Sequence, residues 1–417
     1  MIEIFMVIVF VVFGIAVSIA LHELGHMIPA KLFKVPVSEY FIGFGPTLLS
    51  RKIGETVYGV KAILLGGYTK IIGMFPQKPA GYTDKYFAKT TESVREEALV
   101  GVTPENEHRA FYNLSMPKKM IVMAGGTLTN LFLGFLCFLV AFTFIGGYSS
   151  STTLRFVVKC ESQVGSSTSS NDECSSNYSP AQKAGLKAGD KIVAVNNQHV
   201  ESFNEITAAI GSSSSSKIKL SVEKSGSSKA EDITVDAVKI AGTYKIGILP
   251  ELIKKRLSAF ETLKLTKTIV GQTIDAAVSI PVTLVETVNS IITGHKRNGG
   301  LVSVVGLGQV AIAQDKASGN AAEKIAGMFS IMGSLNVGLF VLNLIPLLPL
   351  DGGHFVNALY EGTKRGIYKL RKKPRPGPPD LARSMPLAYL VYGLLVLLCV
   401  VPVVADIVNP VVQLDKF

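Results

Sequence analysis

The sequence predicts a polytopic α-helical membrane protein with about four transmembrane helices, a membrane-associated β element and an extracytoplasmic α+β domain. Three observations carry that expectation. Hydrophobic residues make up 48% of the 417, and charged residues only 18%, where ordinary soluble domains carry about 25%. Apolar stretches of about 20 residues, the length that crosses a bilayer as a helix, recur along the chain. Between the second and third of them lies a long polar segment with strand and helix patterning. The same composition excludes a disordered chain, a collagen and a small disulfide scaffold.

The first apolar stretch runs from Ile4 to about Ala30. It lacks a basic leader and a small-residue cleavage site and contains two histidines and a glutamate, so it reads as a retained helix. The second covers roughly 120–147. The third, about 329–350, is interrupted by Asn336, Asn343, Pro346 and Pro349, and the last covers about 386–404. Lys31, Lys34, Arg51, Lys52, Lys61, Lys70, Lys118 and Lys119 follow the first stretch, and Lys364 to Arg375 form a second basic loop. Basic loops stay cytoplasmic, which puts both termini and the segment 148–328 outside. The net charge of +11 has the same origin; with no basic-aromatic recognition motif it calls for no nucleic acid.

The domain boundaries that follow are 1–34 for the first span and 35–118 for a cytoplasmic loop with a β-hairpin at about 40–70. The second span is 119–147, the extracytoplasmic domain 148–250, and 251–328 are linking surface helices. The third membrane segment is 329–354, a basic loop 355–385, and the last span with its tail 386–417. Within the outer domain a Ser-rich insertion (Ser166–Ser170, Ser175, Ser176) reads as flexible. Strands are expected at Lys191–Val195, Ile218–Val222 and Ile233–Val238, with a helix near Phe203–Ile210. Cys137 and Cys399 fall inside apolar stretches. Cys160 and Cys174 fall in the outer segment, where they are candidates for a disulfide.

The chemistry concentrates in His22-Glu23-Leu24-Gly25-His26. On a helix, residues four apart share a face, so both imidazoles can bind one metal ion. Glu23, next to the first of them, can act as general base towards an attacking water. Ionisable groups within a span cost about 2.5–3.5 kcal/mol each on insertion scales, so three together point to function. Catalytic zinc takes a third protein ligand. Leu32 stands six residues after His26, where a soluble relative of the motif would place another histidine. Asp351, in Asn343-Leu344-Ile345-Pro346-Leu347-Leu348-Pro349-Leu350-Asp351-Gly352-Gly353-His354, is the remaining intramembrane acid. A helix-capping role for Asp351 is the plain alternative, and His354 is a rival ligand.

With HELGH at 22–26, GFGP at 43–46, GVKAILLGGY at 59–68 and the N-x-x-P-x-x-P-L-D-G-G run of 343–353, the chain resembles the site-2 protease family of intramembrane zinc metalloproteases. The stretch from Ser179 to Ile192 is similar to the core of a bacterial PDZ domain, and the span order to the single-PDZ members. The resemblance implies one Zn2+ per chain on His22, His26 and Asp351, with Glu23 as the base. It gives Asn343 the task of holding the substrate main chain. It makes Gly59, Val60, Lys61, Ala62, Ile63 and Leu64 an edge strand that pairs with substrate. The implied activity is cleavage of single-pass membrane proteins within the bilayer of the cell (inner) membrane, after another protease has trimmed them. Anti-sigma factors and remnant signal peptides are the implied substrates. The PDZ domain would dock a peptide or a trimmed substrate end. Two other classes remain open. A metal or proton transporter also places His, Glu and Asp in spans, but it needs no Glu beside the first ligand, and no inverted repeat is visible. A non-catalytic PDZ membrane scaffold has no use for an intact HELGH.

Overall fold

The computed structural model describes residues 2–78, 87–161, 164, 177–227, 229–240, 242–294, 301–303, 306–307, 309–310, 321–374 and 376–409. Its contacts divide the chain into two units, one formed by Met1–Ile145 with Leu257–Phe417 and one by Gly146–Arg256. In the first unit the chain runs α1 (Ile2–Leu32), β1 (Val37–Ile53), β2 (Thr56–Ile71), α2 (Ala88–Leu99) and α3 (Met116–Phe138). After the second unit come α6 (Ala259–Val278), α7 (Ile280–Thr293), α8 (Ala321–Asn343), α9 (Asp351–Leu370) and α10 (Met385–Val408).

Among the described residues four helical segments are long and apolar enough to cross a membrane: Val9–Leu32, Met116–Gly146, Ala321–Asn343 and Leu381–Val408. The second is α3 extended by π-helical turns over Leu139–Gly146. Facing residues fix the directions. Asn336 of α8 donates to Ser18 Oγ of α1 at 2.9 Å, and Gly14 faces Met332, so α1 and α8 run parallel. His22 faces Asn130 while His26 faces Val122, so α3 runs antiparallel to α1. Gly25 and Gly125 meet backbone to backbone; a Cβ on either would strike the facing main chain. Small residues let helices approach this closely where no hydrophobic effect drives them together.

The third span departs from expectation. The helix stops at Asn343, and 344–350 form a turn before α9 starts at Asp351. Pro346 and Pro349 supply no N–H for a continuing helix. Gly352 and Gly353 fold against the carbonyls of Leu344, Ile345 and Leu347, an approach that a side chain would block. Asp351 therefore opens a new helix rather than closing the old one.

The hairpin β1–β2 is curled on itself. Residues 39–42 pair with 67–70 on one side and with 57–60 on the other, and 57–60 pair again with 49–52. Gly59 and Val60 are thus interior to the sheet, which corrects the expectation that the whole 59–64 run is an edge. Among the described residues the strand with one partner that faces α1 is 67–71. The far end of the hairpin exposes Phe44, Leu48, Leu49 and Ile63, an apolar tip suited to contact with a membrane. Arg95 of α2, 1% exposed, pairs with Asp380 at 2.5 Å and ties α2 to the approach of α10. The helices expected to lie on the surface do not stand clear: Ile269, Val270 and Ala277 of α6 pack on Phe138, Val337 and Val341.

The second unit is an α+β fold. Its strands are β3 (Gly147–Val157), β4 (Lys191–Val195), β5 (Gln198–His199), β6 (Lys217–Glu223), β7 (Ala230–Asp236), β8 (Val238–Ile240), β9 (Thr243–Lys245) and β10 (Ile248–Lys255), with helices α4 (Pro180–Lys183) and α5 (Phe203–Gly211). The main sheet has the order β10-β3-β4-β6-β7 with β5 on β4. Alternation along β6 turns Ile218, Leu220 and Val222 inward onto Ile192 and Ile206. Asp190 closes the turn before β4, accepting from the N–H groups of Lys187 (2.9 Å) and Ser225 (3.2 Å) and from Lys224 Nζ (2.9 Å). Cys160 is buried and disulfide-bonded, and Cys137 and Cys399 are free. Cys174 and the Ser-rich insertion lie outside the described residues.

Candidate metal centre and active site

Three elements converge at the metal-side end of α1. His22 and His26 share one face of α1, α3 packs beside them, and the turn after α8 brings Asp351 to the same point. His26 Nε2 lies 3.2 Å from His22 Nε2 and 3.2 Å from Asp351 Oδ2, and His22 Nε2 lies 3.4 Å from Asp351 Oδ2. Zinc held at about 2.0–2.1 Å by tetrahedral ligands sets those ligands about 3.3 Å apart. The three atoms therefore already have the spacing that a zinc ion imposes, and they form a group that could hold a metal. The donor set, two imidazoles and a carboxylate, leaves a fourth position for water or substrate.

The outward nitrogens are tied down. His26 Nδ1 lies 2.8 Å from the Val122 carbonyl. A carbonyl can only accept, so that nitrogen carries the hydrogen and Nε2 keeps its lone pair for the metal. His22 Nδ1 lies 3.1 Å from the Asn130 side-chain amide, whose Oδ1 is buried without a partner. With the amide turned, that oxygen accepts from Nδ1–H and frees Nε2 of His22 as well. Thr127 Oγ1 donates to Asp351 Oδ2 at 3.1 Å. Gly126 lets α3 lie against the His26 ring, where a Cβ would collide. Asn130, Thr127 and Gly126 were missed in the sequence; the signal for two of them was a hydroxyl and an amide among the few polar side chains of that span.

Glu23 lies next to His22 on α1 and against β2. Thr69 Oγ1 donates to the Glu23 carbonyl at 3.2 Å, and a Cβ built on Gly67 would sit 3.5 Å from Glu23 Cγ. The 67–71 strand thus runs beside the glutamate. Tyr40 Oη, from the neighbouring strand, donates to Ala20 O at 2.7 Å and fixes the hairpin to α1. Of the other residues that the sequence singles out, Asn343 is the last residue of α8, and among the described residues no hydrogen bond ties its side chain to the triad. Lys61 and Ile63 pair with Thr47 and Phe44, and Lys61 Nζ reaches over the Tyr68 ring, 4.8 Å from its centre. His354 stands one turn beyond Asp351, stacked on Phe75 with ring centres 6.4 Å apart, and is not one of the three clustered ligands.

The family model for peptidase family M50 matches residues 10–374. The chain belongs to peptidase family M50, the site-2 protease family. The M50 match takes in both histidines, Glu23, the hairpin and Asp351. Among curated proteins the chain is similar to the zinc metalloprotease Rip1 of Mycobacterium tuberculosis, 29% identical over 95% of this chain and 96% of the relative. A putative zinc metalloprotease of Clostridium acetobutylicum is 27% identical over 85% of this chain and 86% of its own length. The metalloprotease MmpA of Caulobacter vibrioides is 26% identical, covering 88% and 89%.

Proposed function

We propose that this M50 chain is a zinc endopeptidase that cleaves single-pass membrane proteins within the bilayer. The observation that carries the reading is the spacing of His22 Nε2, His26 Nε2 and Asp351 Oδ2, 3.2–3.4 Å apart, with a glutamate beside them. His22, His26 and Asp351 hold the zinc. When bound, zinc polarises the scissile carbonyl and makes water a competent nucleophile near neutral pH. Glu23 takes the proton from the attacking water and delivers it to the leaving amine. Thr127 and Asn130 hold Asp351 and His22 in place throughout.

A helical substrate must unwind before its peptide bond can be reached, and freed main-chain groups in hydrocarbon each cost several kcal/mol unless they find partners. An edge strand offers them by β-addition. The pairing scheme favours 67–71, beside Glu23, for this part over the interior Gly59 and Val60. Ala62 and Leu64 keep a place only as the approach to that strand, and Asn343, just before the turn that delivers Asp351, is a second hold on the substrate.

The Gly146–Arg256 unit is read as a PDZ domain outside the membrane, following the basic loops inside. In support, α5 and the 243–249 segment enclose a cavity of about 470 Å³ lined by Phe203, Thr207, Ile210, Ile246 and Ile248. Such a groove suits an extended peptide with an apolar end, as in a trimmed substrate. Cys160, bonded, is read as paired with Cys174.

The test compares membrane proteomes of cells with the active enzyme and with Glu23→Gln. The expected result is accumulation of trimmed, membrane-bound fragments in the variant, with zinc content retained. General acid–base catalysis contributes about 10²–10⁴-fold, so purified Glu23→Gln should cleave a model span slower by that order. Native-rate cleavage with zinc bound would overturn the assignment.

A further inference from the structure

α6 and α7 carry a broad apolar surface that the proteolytic site leaves unused. Over 268–293 the only charges are Asp275 and Glu286. Five threonines, 266, 273, 283, 287 and 293, donate their hydroxyls to carbonyls four residues back at 2.6–2.8 Å. Side chains satisfied within their own helix ask nothing of water, which is the requirement hydrocarbon sets. One face of α6 packs on α3 and α8, both candidate spans. Apolar side chains elsewhere on the pair are bare: Val278 at the end of α6 is 77% exposed, and on α7 Val282 is 62%, Val285 69% and Ile292 77% exposed. By length and composition the two helices together pass as a span, yet they are bent by 65°.

The way in and the way out decide what kind of element this is. In the first turn of α6, the hydroxyls of Thr262 and Thr143 meet at 2.9 Å, at the C-terminal end of the second span. Beyond α7, the Ser303 N–H donates to Asp406 Oδ2 at 2.8 Å, near the end of α10. Leu307 packs with Val11 and Ile15 near the start of α1. α1 and α3 are antiparallel, so the start of α1 and the end of α3 share one end of the bundle. The chain therefore enters and leaves at the same end, and the parallel course of α1 and α8 requires the same. The apolar run Leu301–Ala313 that follows is shorter than the roughly 20 residues a returning span needs.

We propose that α6 and α7 form a re-entrant membrane element that dips into the bilayer without crossing it, its Val278–Ile292 side in contact with lipid acyl chains. The occupant follows from continuity. α6 lies directly on helices whose outer faces meet hydrocarbon, and its own helical backbone needs no solvent. The inference rests on reading the four long helices as spans and not on the proteolytic assignment.

The chain has no tryptophan, so single substitutions report one position at a time. Val278→Trp, Val285→Trp and Ile292→Trp are placed in the full-length protein in phosphatidylcholine vesicles, with Leu394→Trp in α10 as the span control and Ser214→Trp as the exposed polar control. The expected result is emission as blue as the span control, quenching by vesicles with brominated acyl chains to the same fraction as Leu394→Trp, and shielding from iodide. Iodide quenching equal to Ser214→Trp would overturn the proposal. So would blue emission without bromolipid quenching, which is the signature of a protein partner on this face. If Leu394→Trp alone is quenched by bromolipid, the spans stand and the re-entrant element falls. Should a tryptophan variant not fold, the same positions as cysteines in a Cys137→Ser/Cys399→Ser background, spin-labelled, give the oxygen-against-nickel accessibility ratio with the same two outcomes.

Discussion

Asp351 and Glu361 lie on one helix, α9, within one bundle, and their surroundings treat them in opposite ways. Glu361, 3% exposed, is gripped by two cations, Lys119 Nζ at 2.6 Å and Arg365 at 2.6 Å. Among the described residues Asp351 has no lysine or arginine; it faces two imidazole nitrogens and a threonine hydroxyl. A carboxylate ringed by fixed cations has its charge neutralised already and can do nothing further. A carboxylate facing two imidazole nitrogens at the spacing of metal ligands is placed to share a cation with them. The difference separates a structural acid from a site acid more sharply than burial does, since both are substantially buried.

That contrast can be broken by treating both acids alike. Asp351→Ala should strip the metal from folded protein, measured as zinc per chain by elemental analysis, and cleavage should go with it. Glu361→Gln should leave zinc per folded chain unchanged while lowering stability by about 3–5 kcal/mol, the cost of leaving a buried partner unpaired; loss of the thermal transition by scanning fluorimetry checks it. If Glu361→Gln loses zinc as Asp351→Ala does, the division between the two acids fails. A smaller effect sharpens it. Asn130→Ala removes the group that orients His22 but no ligand, and outer partners of this kind are worth about 10–100-fold in metal affinity. Chelator competition should show a drop in that range, with cleavage restored at saturating zinc.

The smallest effect belongs to a third buried acid, Asp190 in the Gly146–Arg256 unit. Burial alone would raise its carboxyl pKa; hydrogen bonds from Lys224 and from the main-chain N–H groups of Lys187 and Ser225 outweigh that and hold it below the ordinary aspartate value. A depressed pKa in the folded state stabilises above the unfolded value, and the benefit is lost as pH falls through the folded one. Unfolding of this unit, followed by circular dichroism across the acid range, should become easier as pH drops below the usual aspartate pKa. Asp190→Asn should flatten that limb. An unchanged acid limb in the variant would place the pH dependence elsewhere.

How much of this was legible beforehand differs from one residue to the next. His22, Glu23 and His26 could be read directly, because helical periodicity fixes which residues share a face whatever surrounds them. The long apolar runs showed themselves for a similar local reason: the bilayer sets their length. In the second unit the strand expected at Ile218–Val222 falls within β6. The fate of the third apolar run was not legible to the residue. Prolines at 346 and 349 announced a break, but not that the helix would end at Asn343 and restart at Asp351.

The sequence by itself determined the membrane class, the number of long apolar stretches and the histidine pair on α1, because each rests on composition or on spacing along a single element; Asp351 was given as a ligand only by the family resemblance. Only the tertiary structure decided that Asn130 and Thr127 serve the site, that 67–71 rather than Gly59 and Val60 lies at the free edge, and that α6 packs among the spans. Those facts depend on which helix lies against which and on how a hairpin curls across itself. Such pairings join residues far apart in the chain, and no local period encodes them.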